Sequence, residues 1–184
     1  MSLPHALLTS LIECSCSGAE LARRFDRSIG FFWQATHQQI YRELARLEKA
    51  GWVQSQQPES GRGRKKAYQV LPAGRDELRR WAGESQDSKP LREELMVRLR
   101  AEAAIGSTGI EYDIRRRLTG HRERLQHYLE LEKKGFTDLL AGESESYEMQ
   151  VHHLILSAGI LRETFWVQWS ERALVVLDRP DKPV

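Results

Sequence analysis

Apolar positions recur at three- and four-residue spacings through most of the chain, and one stretch alternates instead. Leu3, Ala6, Leu7, Leu8, Leu11 and Ile12 predict a short helix that is apolar around most of its circumference and so buried on more than one side, in part by another chain through Leu7 and Leu11. Ser15-Cys16-Ser17-Gly18 ends it. Ser17 with Glu20 predicts a capping box for a second helix, whose inner face is Leu21, Ala22 and Phe25. That helix ends near Ser28 with Arg23, Arg24 and Arg27 outward, and Ile29-Gly30-Phe31-Phe32-Trp33 follows as a core-filling apolar turn. Ile40, Leu44 and Leu47 are the inner stripe of a third helix, Thr36 to Ala50, capped by Thr36 with Gln39 and stopped by Gly51. Residues 52–57 and 66–70 then alternate as two strands around Pro58–Lys65. Pro72 opens a fourth helix with Leu78 and Trp81 on one side.

The polar stretch from Gly83 to Ser88 predicts a boundary, giving domains at 1–86 and 87–180. The second is helical throughout. Leu91, Leu95, Met96 and Leu99 form one stripe ending around Ile105-Gly106, and Thr108 with Glu111 predicts a capping box for a long helix reaching about Ala141. Its seam, Ile114, Leu118, His121, Leu125 and Tyr128, has spacings of 4, 3, 4 and 3, the repeat of helices packed side by side. Gly142 ends it, Glu143 and Glu145 suit the start of the next helix, and a broad apolar face runs from Tyr147 through Leu154, Leu161, Phe165, Trp166 and Trp169 towards Leu177. A helical arm about 45 Å long cannot cover faces this wide. A symmetric homodimer would, with Leu118, Leu125, Leu154, Leu161, Phe165 and Trp169 at the contact.

Charge adds a location. Net charge over the 184 residues is only +2, but residues 1–88 hold 13 Lys+Arg against 10 Asp+Glu, and Arg62, Arg64, Lys65 and Lys66 form the densest cationic run. On the third helix the face opposite the apolar stripe carries Gln38, Gln39, Arg42, Arg46 and Lys49, the amides and guanidiniums that hydrogen-bond base edges and phosphates. No nucleophile–base motif, phosphate loop or metal-ligand spacing is present, so an enzyme is not expected, nor a bound metal or cofactor. Cys14 and Cys16 lack two further ligands and are expected as reduced thiols. No stretch approaches the roughly 18 apolar residues of a membrane span, and Met1–His5 lacks a secretion signal, so a cytoplasmic chain is expected.

Over nearly its whole length the sequence resembles the PadR family of transcriptional regulators. The resemblance is carried by Ser17–Phe25, Gly30–Trp33, Gln39–Val53, Gly63–Tyr68, and Gly74 with Leu78 and Trp81. It implies a mainly α protein: a winged helix-turn-helix domain of three helices and a two-stranded wing, then an all-helical dimerisation domain. It also implies repression at palindromic operators, Tyr41 against DNA, the wing along the backbone, and diverse small-molecule effectors such as phenolic acids. Two positions depart from the family pattern: Ala19 stands where tyrosine is usual, and Leu71 where threonine often caps the fourth helix.

The expectation is therefore a dimeric, sequence-specific regulator of double-stranded DNA. Thr36, His37, Gln38, Gln39 and Arg42 would face the major groove, with Tyr41, Arg46 and Lys49 nearer phosphates. Arg62, Arg64, Lys65 and Lys66 would engage the flanking backbone or minor groove. A winged helix used only for protein contacts is the alternative, and it has no need of a basic wing. His121, Tyr128, Trp166 and Trp169 could line an effector cavity, although aromatics at helical spacing more commonly fill interfaces.

Overall fold

The computed structural model describes residues 3–27, 33–56, 66–87, 90, 92–142 and 146–178. The chain divides into two compact units, residues 1–88 and 89–184.

The first unit is built from α1 (Leu3–Glu13), β1 (Cys16–Ser17), α2 (Gly18–Arg27), α3 (His37–Lys49), β2 (Val53–Gln56), β3 (Ala67–Val70) and α4 (Pro72–Ala82). Its core is made of Leu7, Leu8, Leu11, Leu21, Ala22, Phe25, Ile40, Leu44, Leu47, Val53 and Val70, all at most 5% exposed. Leu7 and Leu11, expected to reach a second chain, are instead sealed in this core; at 0 and 1% exposure neither side chain has surface left to offer one. The three strands run antiparallel in the order β1-β3-β2, with Cys16 opposite Tyr68 and Val53 opposite Val70. β1 was not visible in the sequence, because two residues are too few to show alternation.

Arg24 does not point outward. Its guanidinium turns back over the end of α1 and donates to the carbonyls of Ser10 (3.4 Å), which also accepts the Cys14 N–H, and Cys14 (3.1 Å). His5 ties α1 to α4: its ring stacks on Trp81 at 4.3 Å and its Nε2 is hydrogen-bonded to Glu77 at 3.1 Å. Leu71 gives α4 no side-chain cap, and its own N–H is used on the Trp52 carbonyl. Residues 29–32 of the expected apolar turn lie outside the described residues, as do Ser28, Glu143 and Glu145; Trp33, the last of the turn, packs on the core.

The second unit comprises α5 (Glu94–Ile105), α6 (Ile110–Gly135), α7 (Thr137–Leu140) and α8 (Tyr147–Leu177). Its core joins Leu95, Ile110, Ile114 and Leu118 to Leu174 and Leu177, with Trp166 and Trp169 packed against it. The expected Thr108–Glu111 capping box is replaced by another device. The Glu102 carboxylate accepts both the N–H and the hydroxyl of Thr108 at 2.6 Å, and α6 begins after Gly109 with no side-chain cap. The long helix also stops sooner than expected, at Gly135, and resumes for one turn after Phe136. Ser146 caps α8 by accepting the Met149 N–H.

Of the residues assigned to a dimer contact, Leu118 belongs to the unit's own core at 6% exposure, and Leu125 and Trp169 are half-buried. Leu154, Leu161 and Phe165 remain 67, 69 and 56% exposed along α8. No helix among the described residues is long and apolar enough to cross a membrane.

Candidate nucleic-acid interface

α3 presents two faces for one physical reason: its apolar residues fall on a single stripe. Ile40, Leu44 and Leu47 are 0–1% exposed, and their burial fixes the helix's rotation about its axis. Gln38, Arg42, Ala45 and Lys49, spaced by four, three and four, then form one exposed stripe on the other side, flanked by Tyr41 and Arg46. Arg42 makes no ion pair among the described residues, whereas Arg46 lies 3.4 Å from Glu43.

The start of α3 is pinned by the expected capping box. The Gln39 N–H donates to Thr36 Oγ1 (3.2 Å), and the Thr36 N–H donates to Gln39 Oε1 (2.8 Å). Gln39 therefore uses its carbonyl oxygen on the cap, leaving only its NH2 for another partner. At the other end Gly51, in the left-handed region at φ +71°, turns the chain directly into β2.

The strands form the root of a wing. Ser55 lies opposite Tyr68, and the side chains of Gln56 and Gln69 are bonded across the ladder at 2.9 Å. Lys66 stands exposed at its base. Arg62, Arg64 and Lys65, the rest of the expected cationic run, lie outside the described residues. Tyr41, 47% exposed, rests its ring on Gly18, where a Cβ would come within 2.7 Å of it. The Tyr68 hydroxyl is pushed up by burial first, then by Glu48 and Tyr41.

Two contacts of this surface have no periodic signature in the sequence. Gly18 is buried against Tyr41, so a larger residue at the start of α2 would displace that half-exposed ring. Glu48 accepts the backbone N–H of Ser55 at 2.9 Å and so joins α3 to β2. The available signal was an acidic residue in the last turn of a helix, where the macrodipole disfavours one.

A three-helix core with a small antiparallel sheet and a polar, cation-bearing helix held outward is a winged helix. Two family models divide the chain between them: the transcriptional regulator PadR-like family over residues 7–80 and the virulence activator alpha C-terminal family over residues 91–178. A probable transcriptional regulator of Mycobacterium tuberculosis is 38% identical over 189 residues, spanning 96% of this chain and 98% of that one. The chain belongs to the PadR family of transcriptional regulators.

Solved members share the PadR fold end to end. The Vibrio cholerae virulence activator AphA is 27% identical with a TM-score of 0.80, covering 96% of this chain and 98% of its own. Bacillus subtilis PadR, a negative transcriptional regulator, has been solved with operator DNA; that structure is 24% identical with a TM-score of 0.79, covering 96% and 99%. The same protein has been solved with p-coumaric acid, at 25% identity and a TM-score of 0.74, covering 97% and 100%.

Proposed function

We propose that this PadR-family regulator acts as a homodimeric repressor at a palindromic operator, with residues 1–86 binding DNA and residues 87–180 dimerising. The observation carrying the DNA assignment is the outward stripe Gln38–Arg42–Ala45–Lys49 above a fully buried Ile40–Leu44–Leu47. Arg42 and Gln38 read base edges in the major groove, assisted by His37 and the free amide of Gln39, while Thr36 serves them as the cap. Tyr41, Arg46 and Lys49 contact phosphates beside them. Lys66, with Arg62, Arg64 and Lys65, follows the backbone. Repression is favoured by the Bacillus relative, a negative transcriptional regulator, whereas the Vibrio protein is an activator.

Dimerisation is supported by α8. Tyr147, Leu154, Leu161 and Val175 fall on a seven-residue repeat and are 80, 67, 69 and 70% exposed, with Phe165 beside them. A second copy of α8 is the occupant that satisfies such a self-complementary seam. Two symmetric copies of α3 then require half-sites about 34 Å apart, hence a palindrome.

The second unit holds a cavity of about 180 Å³ lined by Glu93, Leu95, Ile114, Arg117, His121, Trp166 and Ser170, below the roughly 300 Å³ at which ligand pockets begin, so an effector seated there is smaller than a drug-sized molecule. The test of the whole reading is selection of bound fragments from a randomised duplex library by the full-length protein, followed by sedimentation of the complex. An enriched palindrome holding two chains supports it; no enrichment over random duplex rejects it.

A further inference from the structure

β2 is an edge strand of the sheet, so the N–H groups on its outer side have no strand partner. One of them is satisfied: the Ser55 N–H donates to the Glu48 carboxylate across seven residues of chain. Glu48 sits in the last turn of α3, which also carries Arg46 and Lys49, with Lys66 near enough to act on its charge, on the flank assigned to DNA. An anion there opposes both the helix dipole and any approaching phosphate. Ser55 nonetheless holds the Glu48 carboxyl below its usual value through hydrogen bonds that outweigh the opposing effect of burial, with Lys66 adding the least. The only backbone joining α3 to β2 is the turn 50–52, closed by the Gly51 N–H on the Glu48 carbonyl and the Trp52 N–H on the Leu47 carbonyl, both 3.0 Å.

We infer that Glu48 is a positioning residue for DNA recognition: its carboxylate, seated on the Ser55 N–H, fixes the root of the wing at one angle to α3, so that helix and wing meet a duplex together. This rests on the proposed DNA-binding role of that surface. Losing the side chain has two separable effects. A mere surface anion, once removed, would improve binding to every duplex alike. A brace, once removed, also loosens the wing against the helix, which harms only the sequence whose contacts need both in register.

The test compares wild type, Glu48→Ala and Glu48→Gln as full-length proteins on the duplex that wild type enriches from a random library and on a scrambled duplex of equal composition. Glutamine keeps an acceptor for the Ser55 N–H and drops the charge; alanine drops both. The alanine variant is expected to lose about tenfold in the ratio of the two affinities, the worth of one charge-assisted hydrogen bond. The glutamine variant keeps most of that ratio while binding both duplexes more tightly. Amide exchange at Ser55 is expected to quicken in the alanine variant alone. An unchanged ratio or unchanged Ser55 exchange in Glu48→Ala overturns the brace while leaving the DNA assignment standing. A wild-type protein that enriches no duplex overturns both.

Discussion

Nδ1 of His121 lies 2.6 Å from Oε2 of Glu163, a carboxylate only 2% exposed, and the pair joins α6 to α8 inside the second unit. Arg124 Nε donates to the same oxygen at 3.1 Å and Arg162 to the other at 3.2 Å. Burial pushes the Glu163 carboxyl up, but the His121 hydrogen bond and the Arg124 charge outweigh it, and the net direction is down. A buried carboxylate with this many donors is ionised, and removing it leaves cationic groups without their partner.

Glu163→Ala should therefore destabilise the second unit by about 2–3 kcal/mol, with Glu163→Gln milder because it retains an acceptor. Denaturant unfolding gives the size, and amide exchange gives the place. Faster exchange should appear in α6 and α8 and not in α1 to α4. An alanine variant as stable as wild type would show that the cluster is only decorative.

Glu77 predicts an acid dependence for the first unit. Hydrogen bonds from Arg80, then His5, lower its carboxyl from 4.5 to about 2. A depressed carboxyl contributes stability that is fully present above its unfolded value and disappears as pH falls through the folded one. The loss should therefore run from about pH 4.5 down to about 2. Glu77→Gln should lose stability at neutral pH and show a flatter acid limb, the two proteins converging near pH 2. Parallel curves across that range would contradict the assignment.

How far the sequence could be read depended on the length over which each signal repeats. α3 was legible because three buried positions, a capping box and a terminal glycine all agree on one helix. The second unit's helices were legible from their seams, but their ends were not. The Thr108–Glu111 spacing matches a cap by pattern, yet Glu102, six residues upstream, captures Thr108 first. Contacts between distant residues leave no periodic trace: His5 on Trp81, Arg24 over the end of α1, and Glu48 on Ser55 had to be seen. Leu7 and Leu11 show the limit of inference from an all-round apolar helix. Such a helix is buried on more than one side, and here its own unit takes Leu7, Leu8 and Leu11 while Leu3, Ala6 and Ile12 stay partly exposed.

Gly74 illustrates a constraint of space. A Cβ there would stand 2.3 Å from the Trp52 carbonyl oxygen, a backbone atom already fixed by the Leu71 N–H. Gly74→Ala should push α4 away from the end of β2 and cost about 2–3 kcal/mol, at the upper end for overpacking. A thermal melt of the full-length protein measures it; an unchanged midpoint would mean that α4 can shift freely.

The exposed seam of α8 predicts the behaviour of the proposed dimer. Leu161→Glu with Phe165→Glu places four like charges across a two-fold contact at side chains more than half exposed, losing from the unit's own packing the edge contact of Phe165 on Trp166. Sedimentation should show monomers with wild-type helix content. Monomers should also lose the gain from binding two half-sites at once, so operator affinity falls by about a hundredfold or more. A variant that remains dimeric places the contact elsewhere.

The DNA-facing assignment itself divides into residues that specify and residues that attract. Arg42 projects from the middle of the exposed stripe and forms no ion pair among the described residues, so it is available for a bidentate contact to a base. Arg42→Ala should weaken binding to the preferred duplex by about 1–3 kcal/mol and scrambled duplex much less, relaxing selection at one base pair per half-site. Lys66, at the wing's base, offers a point charge. Lys66→Ala should weaken both duplexes alike and reduce the slope of log affinity against log salt by about one per chain. Titrations at several salt concentrations separate the two. If Arg42→Ala flattened the salt slope while sparing the preference, and Lys66→Ala did the reverse, the helix would be holding the backbone and the wing reading the sequence.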